Sequence, residues 1–462
     1  MSETGLLEAR ARMGARGVDS RAIAVFEEYY RALEQGARGT IPEDSIEPLG
    51  QVPELGSFRA DDEARREALR STVVVKLNGG LGTSMGMTGP KSALPVRDGL
   101  TFLDIIVRQV LALRRRHGVE LPLLLMNSFR TREESLAILG GYADLPVPGL
   151  PLDFLQSAEP KLRETDLMPV DWPADPELEW CPPGHGDLFV ALVSSGVLKS
   201  LRDKGFRYAF VSNSDNLGAT CDPDVAGWML EHAVPYAAEV CRRTVNDRKG
   251  GHLAVRRSDG RLILRDSAMV QPGEEECFAD IRRHRTFHAN NLWFDIEVLD
   301  RLLTERHGVL GLPIIVNRKT VDPSEPGSPA VIQVESAMGT AIEVFEGSQA
   351  LLVPRRRFRP VKTTNELLLV RSDIFTLDED YTVVSVRDGD EPLVDLDPTY
   401  FRRMPDFDAR FPSGVPSMRE CSSLTVSGDV RFGADVSCVG AVSITAPDGR
   451  QVADGARLTG EC

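Results

Sequence analysis

Disulfide scaffolding is the first thing this sequence lacks. Its seven cysteines, at positions 181, 221, 241, 277, 421, 438 and 462, are odd in number and form no Cys-x-x-Cys pair. Neither a disulfide framework nor a zinc site is expected from such spacing, and reduced thiols in a cytoplasmic protein fit it best. Long apolar runs are also missing: nothing approaches the ~20 residues that span a bilayer, and the opening MSETGLLEARARMGARG carries no signal-peptide core. No membrane partner is expected. Positive charge is in short supply, with 54 Lys and Arg against 69 Asp and Glu and a formal net charge of -15. That balance argues against a protein that tracks a nucleic-acid backbone, so any anionic ligand must be met by cations gathered locally or by a metal.

What is present is an ordinary soluble balance, 42% hydrophobic and 27% charged, on 462 residues, a length that suggests two or three cooperating units. In DSRAIAVFEEYYRALEQ the residues Ile23, Phe26, Tyr30 and Leu33 share one helical face, and the Pro and Gly of GTIPEDSIEPLGQVPELG then end the pattern. Residues 1–55 read as a helical extension. From residue 71 short apolar strands alternate with helical segments: TVVVKL, then TFLDIIVRQVLALRRR with capping-box spacing from Thr101 to Asp104, then LPLLLMN and TREESLAIL. Such alternation predicts βαβ units on a mostly parallel sheet, and LDFLQS, FRYAFVSNSDN, FHANNLWFDI and LPIIV continue it through a domain set at 56–372. The tail, 373–462, differs. Val430, Val436 and Val442 recur every six residues beside Gly428, Gly433 and Gly440, which predicts a small parallel β-helix, with a plain β-meander as the alternative. Of two arginine runs, LRRRHG is expected to be a solvated helix end suited to the helix dipole, and PRRRF is a candidate phosphate contact.

The chemistry gathers in VVVKLNGGLGTSMGMTGPKS. Glycines 79, 80, 82, 86 and 89 follow a strand, where absent Cβ atoms let backbone N–H groups approach phosphate oxygens. Pro90 separates Gly89 from Lys91, so the Gly-Lys-Ser/Thr succession of a Walker loop is broken. Met85 stands where a dinucleotide fingerprint needs glycine. What remains is a long loop around a triphosphate, closed by a lysine that proline holds at a fixed distance, a placement suited to neutralising charge at a phosphorus under attack.

KLNGGLGTSMGMTGPKS followed by VRDGLTFLDIIVRQV resembles the signature of the eukaryotic-type UTP–glucose-1-phosphate uridylyltransferases. The resemblance continues in order through FLQS, PPGHGD, NSDNLGA, EVCRRTVNDRKGGHL, FHANNLW, PIIVNRKTVD, VIQVESAMGTAI, RFRPVKTTNELLLVRSD and VSGDVRFGADV. It implies a Rossmann-like α/β nucleotidyltransferase domain, related to the glycosyltransferase-A type, whose mixed sheet is flanked by helices, with a left-handed parallel β-helix at the C-terminus. It also implies a reversible, magnesium-dependent transfer of uridylyl from UTP to glucose 1-phosphate. A pyrophosphorylase for UDP-N-acetylhexosamine or for several UDP-sugars is the alternative within catalysis, and an idle sugar-nucleotide scaffold the remote one.

Carried over residue by residue, the resemblance makes Lys91, Lys362 and His185 catalytic. It lays Leu77, Asn78, Gly79, Gly80, Gln156, Gly184, Asn213 and Asp215 along the nucleotide, Gln156 reading uracil with an amide that both donates and accepts. Asp215, at the end of the strand in AFVSNSDN, anchors Mg2+ together with the nucleotide phosphates. Glu239, Gly251, Asn290, Asn291 and Glu335 are expected on the sugar. This chain departs from the family pattern at His288, Ala289 and Arg243, which bears on the choice of sugar. In some relatives the C-terminal tail forms a homo-oligomer, and that contact is an expectation here.

Overall fold

A computed structural model describes residues 2–244 and 247–462; Val245 and Asn246, inside the conspicuous block that begins at Glu239, lie outside the described residues. Its centre is a seven-stranded sheet. In chain order the strands are β1 (Thr72–Asn78), β2 (Leu123–Asn127), β3 (Asp153–Leu155), β4 (Tyr208–Asn213), β5 (Tyr236–Arg242), β6 (Thr286–Asp295) and β7 (Gln349–Leu352). Their spatial order is β7-β5-β6-β4-β1-β2-β3. Strands β4, β1, β2 and β3 run parallel, while β6 is antiparallel to both β4 and β5. The sheet is therefore mixed, with a parallel half that carries the glycine loop.

Strand β1 shows why a parallel strand reads as a continuous apolar run. Its side chains alternate between faces, so Val74 enters one core cluster and Val73 and Val75 the other, all at 1% exposure or less. Full burial of each such valine contributes ~1.5–3 kcal/mol, so a charge at Val74 would disrupt the sheet at its centre. After the loop, the helix Phe102–His117 starts at the expected capping box, with Thr101 and Asp104 bonding each other's backbone N–H, and ends at Gly118 in the left-handed conformation.

The end of that helix corrects one expectation. Arg115 and Arg116 are exposed, but Arg114 is not a solvated cation: it donates to the carbonyls of Leu121, Asp144 and Leu145 and fastens the helix to the following loops.

Two helices open the chain, Ser2–Ala15 and Ser20–Glu34. Phe26 and Tyr30 of the second are buried as their periodicity predicts, against Leu162, Ile332 and Val334, with Ile23 and Leu33 packed at the margin. The first helix buries Leu6, Ala9 and Met13, three residues of one face, in the same cluster.

The tail is a parallel coil. Strands Leu393–Leu396, Ser417–Arg431, Ser437–Gln451 and Arg457–Glu461 lie side by side, and Ser417 pairs with Ser437, which pairs with Arg457. The offset from coil to coil is twenty residues there and eighteen, three hexads, where Leu424 pairs with Val442 and Val442 with Gly460. Register shifts at Cys421/Ser423 and Gly428/Val430 mark the corners. Val430, Val436 and Val442 all point inward, as the spacing requires.

Candidate active site

The glycine loop leaves the sheet where β1 and β2 end together, Leu77 beside Met126 and Asn78 beside Asn127. The Asn78 amide donates to Asn127 Oδ1 and Ser135 Oγ, both at 2.7 Å, so its side chain locks the two strand ends and only its backbone faces the loop. Lys91 N–H donates to the Gly80 carbonyl at 3.3 Å, which closes the loop on itself. Gly79 is required by contact rather than by φ: a Cβ there would meet Gln156 Oε1 at 2.6 Å. The Gln156 amide therefore lies directly over the turn. Gly86 needs its left-handed φ of 71°, and Arg403 of the C-terminal region rests against it.

A cleft of about 290 Å³ opens beside this loop. Of the expected residues, Leu77, Gly79, Gly80, Lys91, Gln156, Gly184, His185, Asn213 and Asp215 line it. Met126, Pro182 and Ser214 line it too. No motif pointed to Met126; only strand register places it opposite Leu77, and a reading of which strand pairs with β1 was the signal that would have found it.

Lys91 Nζ lies 2.9 Å from Asp215 Oδ2 and also donates to the Val361 carbonyl, while Lys362 Nζ stands 3.8 Å from the same oxygen of Asp215. Two cations thus converge on one carboxylate at the carboxyl end of β4. The other oxygen, Asp215 Oδ1, is buried and has no hydrogen-bond partner among the described residues. A hard divalent cation suits such an oxygen, and because no group of three or more His, Cys, Asp or Glu could hold a metal among those residues, ligand oxygens would have to complete its shell.

Gly184 and His185 belong to a loop bound back to back with residues 336–338. Gly186 N–H donates to the Ser336 carbonyl and Ser336 N–H to that of Pro183. Gly184 has φ 77°, and a Cβ there would meet Ser336 O at 2.5 Å. His185 Nδ1 accepts from Met338 N–H at 2.9 Å, so the imidazole proton sits on Nε2. Burial is the main cause that lowers this histidine's pKa to about 4. A neutral ring offering one N–H is what the cleft presents at neutral pH.

On the sugar side the outcome is divided. Asn290 adopts a left-handed φ of 55° inside a bulge of β6, and its amide donates to Asn213 Oδ1 at 3.1 Å, beside the cleft. Glu335 is half-buried with Lys319 Nζ 3.8 Å away, and Gly251 accepts from His288 N–H at 2.8 Å. Glu239 and Asn291, also expected on the sugar, lie in the interior beside these residues. Both are wholly buried, and the Glu239 carboxylate is taken up by Arg357, Asn291 and Trp293. Arg357 is correspondingly no phosphate contact: of the PRRRF run, Arg355 pairs with Asp247 at 2.8 Å, Arg357 is buried, and only Arg356 is free of both arrangements. Arg243 spends its guanidinium on the carbonyls of Phe278 and Gly250, and His288 is buried with its ring against Gly339.

A glycine loop at the carboxyl end of a parallel strand, two lysines on one carboxylate and a side-chain amide over the turn define an α/β nucleotidyltransferase built for a phosphorylated nucleotide. Residues 23–438 match the family model described as UTP–glucose-1-phosphate uridylyltransferase. The chain is 38% identical to the barley UTP–glucose-1-phosphate uridylyltransferase over 98% of its own length and 95% of the relative's, and 39% identical to the probable Schizosaccharomyces pombe enzyme over 92% and 84%. Among solved structures, a UDP-glucose pyrophosphorylase variant from Leishmania major in complex with UDP-glucose superposes with a TM-score of 0.92 at 39% identity, covering 99% of both chains. The Trypanosoma brucei UDP-glucose phosphorylase gives 0.91 at 41% identity over 98% of each. The chain belongs to the UTP–glucose-1-phosphate uridylyltransferase family.

Proposed function

We infer that this protein transfers the uridylyl group of UTP to α-D-glucose 1-phosphate, releasing pyrophosphate and UDP-glucose. The observation that carries the reading is the coincidence of a family match spanning residues 23–438 with a cleft in which Gly79, Gly80, Lys91 and Asp215 converge. An oxygen of the sugar 1-phosphate attacks the α-phosphorus of UTP in line, and the bond to the departing pyrophosphate breaks. There is little covalent work for the protein, so positioning and charge stabilisation account for the rate.

Gln156 reads the uracil edge with its paired donor and acceptor, against the backbone of Leu77, Asn78, Gly79 and Gly80. Lys91 and Lys362 neutralise the charge that grows on the phosphates, supplying locally what a chain of net charge -15 lacks overall. His185 donates from Nε2 to a phosphate or hydroxyl oxygen and, being neutral, stays a donor as pH falls toward 5. Asn290 and Glu335, with Gly251, face the glucose. Mg2+ would be held by Asp215 and phosphate oxygens, and when bound it supplies further neutralisation of the pyrophosphate. The seven free cysteines support a cytoplasmic setting, and the edge strand Arg457–Glu461, paired on one side, supports a homo-oligomeric contact through the tail.

Pyrophosphate release is measured with UTP, magnesium and, in turn, glucose, galactose and N-acetylglucosamine 1-phosphates. Release with glucose 1-phosphate, lost on chelation and restored by magnesium, is expected. Preference for the N-acetylated sugar would replace this reading with a UDP-N-acetylhexosamine pyrophosphorylase, and silence with every sugar would sink it.

A further inference from the structure

Asp215 beyond the end of β4, Asn290 in the bulge of β6 and Lys362 after the PRRRF run carry groups assigned to the chemistry, and one buried ion pair is linked to the neighbourhood of all three. Arg357 Nε donates to Glu239 Oε2 at 2.8 Å and Arg357 Nη2 to Oε1 at 2.5 Å, a bidentate pair with 3% and 0% exposure. Glu239 also accepts from Asn291 Nδ2 at 3.0 Å and from Trp293 Nε1 at 3.1 Å. Asn291 follows Asn290, the left-handed residue beside the cleft. From there the network crosses to the end of β4: Asn216 Nδ2 donates to Asn291 Oδ1 at 3.3 Å and to the Arg357 carbonyl at 3.2 Å. Asn216 Oδ1 accepts from Arg359 N–H at 2.8 Å, and Val361 N–H donates to the Asp215 carbonyl at 3.1 Å. Residues 357–362 are thereby laid antiparallel to Asp215–Asn216, one step from Lys362.

We propose that the Glu239–Arg357 pair is a positioning device for uridylyl transfer, fixing the register of Lys362 against Asp215 and the aim of Asn290 without touching substrate. The inference rests on the functional reading above. Stability alone is a poor account of the pair, because two charges withdrawn from water recover in mutual attraction roughly what they lose in hydration, and a well-packed apolar pair often serves as well. What an apolar pair cannot do is specify register: four directed bonds accepted by Glu239, with a fifth that Arg357 Nη2 donates to the Thr220 carbonyl at 3.0 Å, admit one alignment of these segments. Asn290 holds a left-handed φ that asparagine tolerates, and Asn291, the residue clamped next to it, fixes the direction of that turn. Both partners stay charged. Burial raises the Glu239 carboxyl, but the Arg357 charge and the hydrogen bonds outweigh it and hold the pKa below its ordinary value.

The test is the double variant Glu239→Gln with Arg357→Met, in which the new amide keeps an acceptor for Asn291 or Trp293, neither member of the pair is left charged alone, and Asp222, 3.5 Å from Arg357 Nη1, keeps its bonds from Asp224 and Val225 N–H. Melting temperature, kcat and KM for UTP are measured beside the wild type, Lys362→Ala and the triple variant. Expected is a melting temperature within a few degrees of wild type, kcat lowered at least ~10-fold and KM for UTP within ~3-fold, since a misaligned lysine weakens the transition state more than the ground state. Lys362→Ala should cost clearly less in the double-variant background than in wild type, because the lysine is already out of register. A folded double variant with wild-type kcat, or full additivity with Lys362→Ala, overturns the inference. Should the double variant fail to fold, Arg357→Lys, which keeps the charge but loses the fork, decides by the same kcat-against-KM comparison. A wild-type protein that releases no pyrophosphate overturns the functional reading and the inference together, whereas an active wild type with an undisturbed pair variant overturns the inference alone.

Discussion

Lys91 Nζ sits 2.9 Å from Asp215 Oδ2 and donates at the same time to the Val361 carbonyl, so the residue that closes the glycine loop is tied both to the end of β4 and to the segment carrying Lys362. The positive charge that the proposed function offers to the nucleotide is thus held in place by a carboxylate.

On the proposed function Lys91→Ala removes a charge-assisted contact to the phosphates, and kcat/KM should fall by ~2–4 kcal/mol, about 30- to 1000-fold. Because the side chain is only partly buried, the melting temperature should move little. Steady-state pyrophosphate release beside a thermal melt checks both, and a loss under ~5-fold would remove Lys91 from the chemistry.

Gly79→Ala places a methyl group 2.6 Å from Gln156 Oε1 and must displace the amide. If Gln156 reads uracil, KM for UTP rises by ~1–3 kcal/mol, about 5- to 150-fold, and the preference for UTP over CTP narrows. Gln156→Ala should reproduce the loss of base preference. An unchanged UTP/CTP ratio in both variants would show that the amide does not read the base.

His185 titrates at about 4, below its ordinary 6.5, so it is neutral through the physiological range. The unfolded chain takes up this proton first; the histidine therefore withdraws stability as pH falls from about 6.5 to 4 and contributes its full share above that window. Activity between pH 6 and 8 should show no inflection from this ring, and the Nε2–H tautomer should be visible in its nitrogen chemical shifts. An imidazole titrating near 6.5 would contradict the hydrogen bond from Met338 N–H.

Behind the Gly184–Asp187 loop, burial raises the Glu159 carboxyl well above its ordinary value, with Asp187 and Glu335 adding repulsion, and burial raises Asp187 to about 6. Folded protein then holds protons that the unfolded chain releases, so stability contributed by these groups is present at low pH and lost as pH rises, for Asp187 between about 4 and 6. Glu159→Gln keeps the shape and removes the ionisation. Its melting temperature should exceed wild type by a margin that grows from pH 5 to pH 8, and a constant margin would show that Glu159 is already ionised in the folded protein.

How much was legible in the sequence follows from the range of the interactions. The apolar run before Gly79, the Thr101–Asp104 cap and the hexads of the tail are local patterns, and each reports its element because burial at period two, capping at three residues and coil corners at six depend on neighbours in the chain. Glycine, lysine and aspartate at strand ends were likewise readable, since a loop after a parallel strand faces the crevice wherever the strand lies in the sheet. The partners of Glu239 and Asn291 were not readable, for the opposite reason. A carboxylate and an amide look the same in sequence whether they meet a sugar or a buried arginine.

The sequence by itself determined an α/β sheet with a phosphate-facing glycine loop, a coiled tail and the family. Tertiary structure alone decided that Met126 stands beside Leu77, that Lys91 and Lys362 share one oxygen of Asp215, and that Glu239 lies behind the cleft on Arg357. Those facts join residues up to 271 positions apart, from Lys91 to Lys362, and which polar group faces solvent and which faces another polar group is fixed only when strands pair and the interior excludes water.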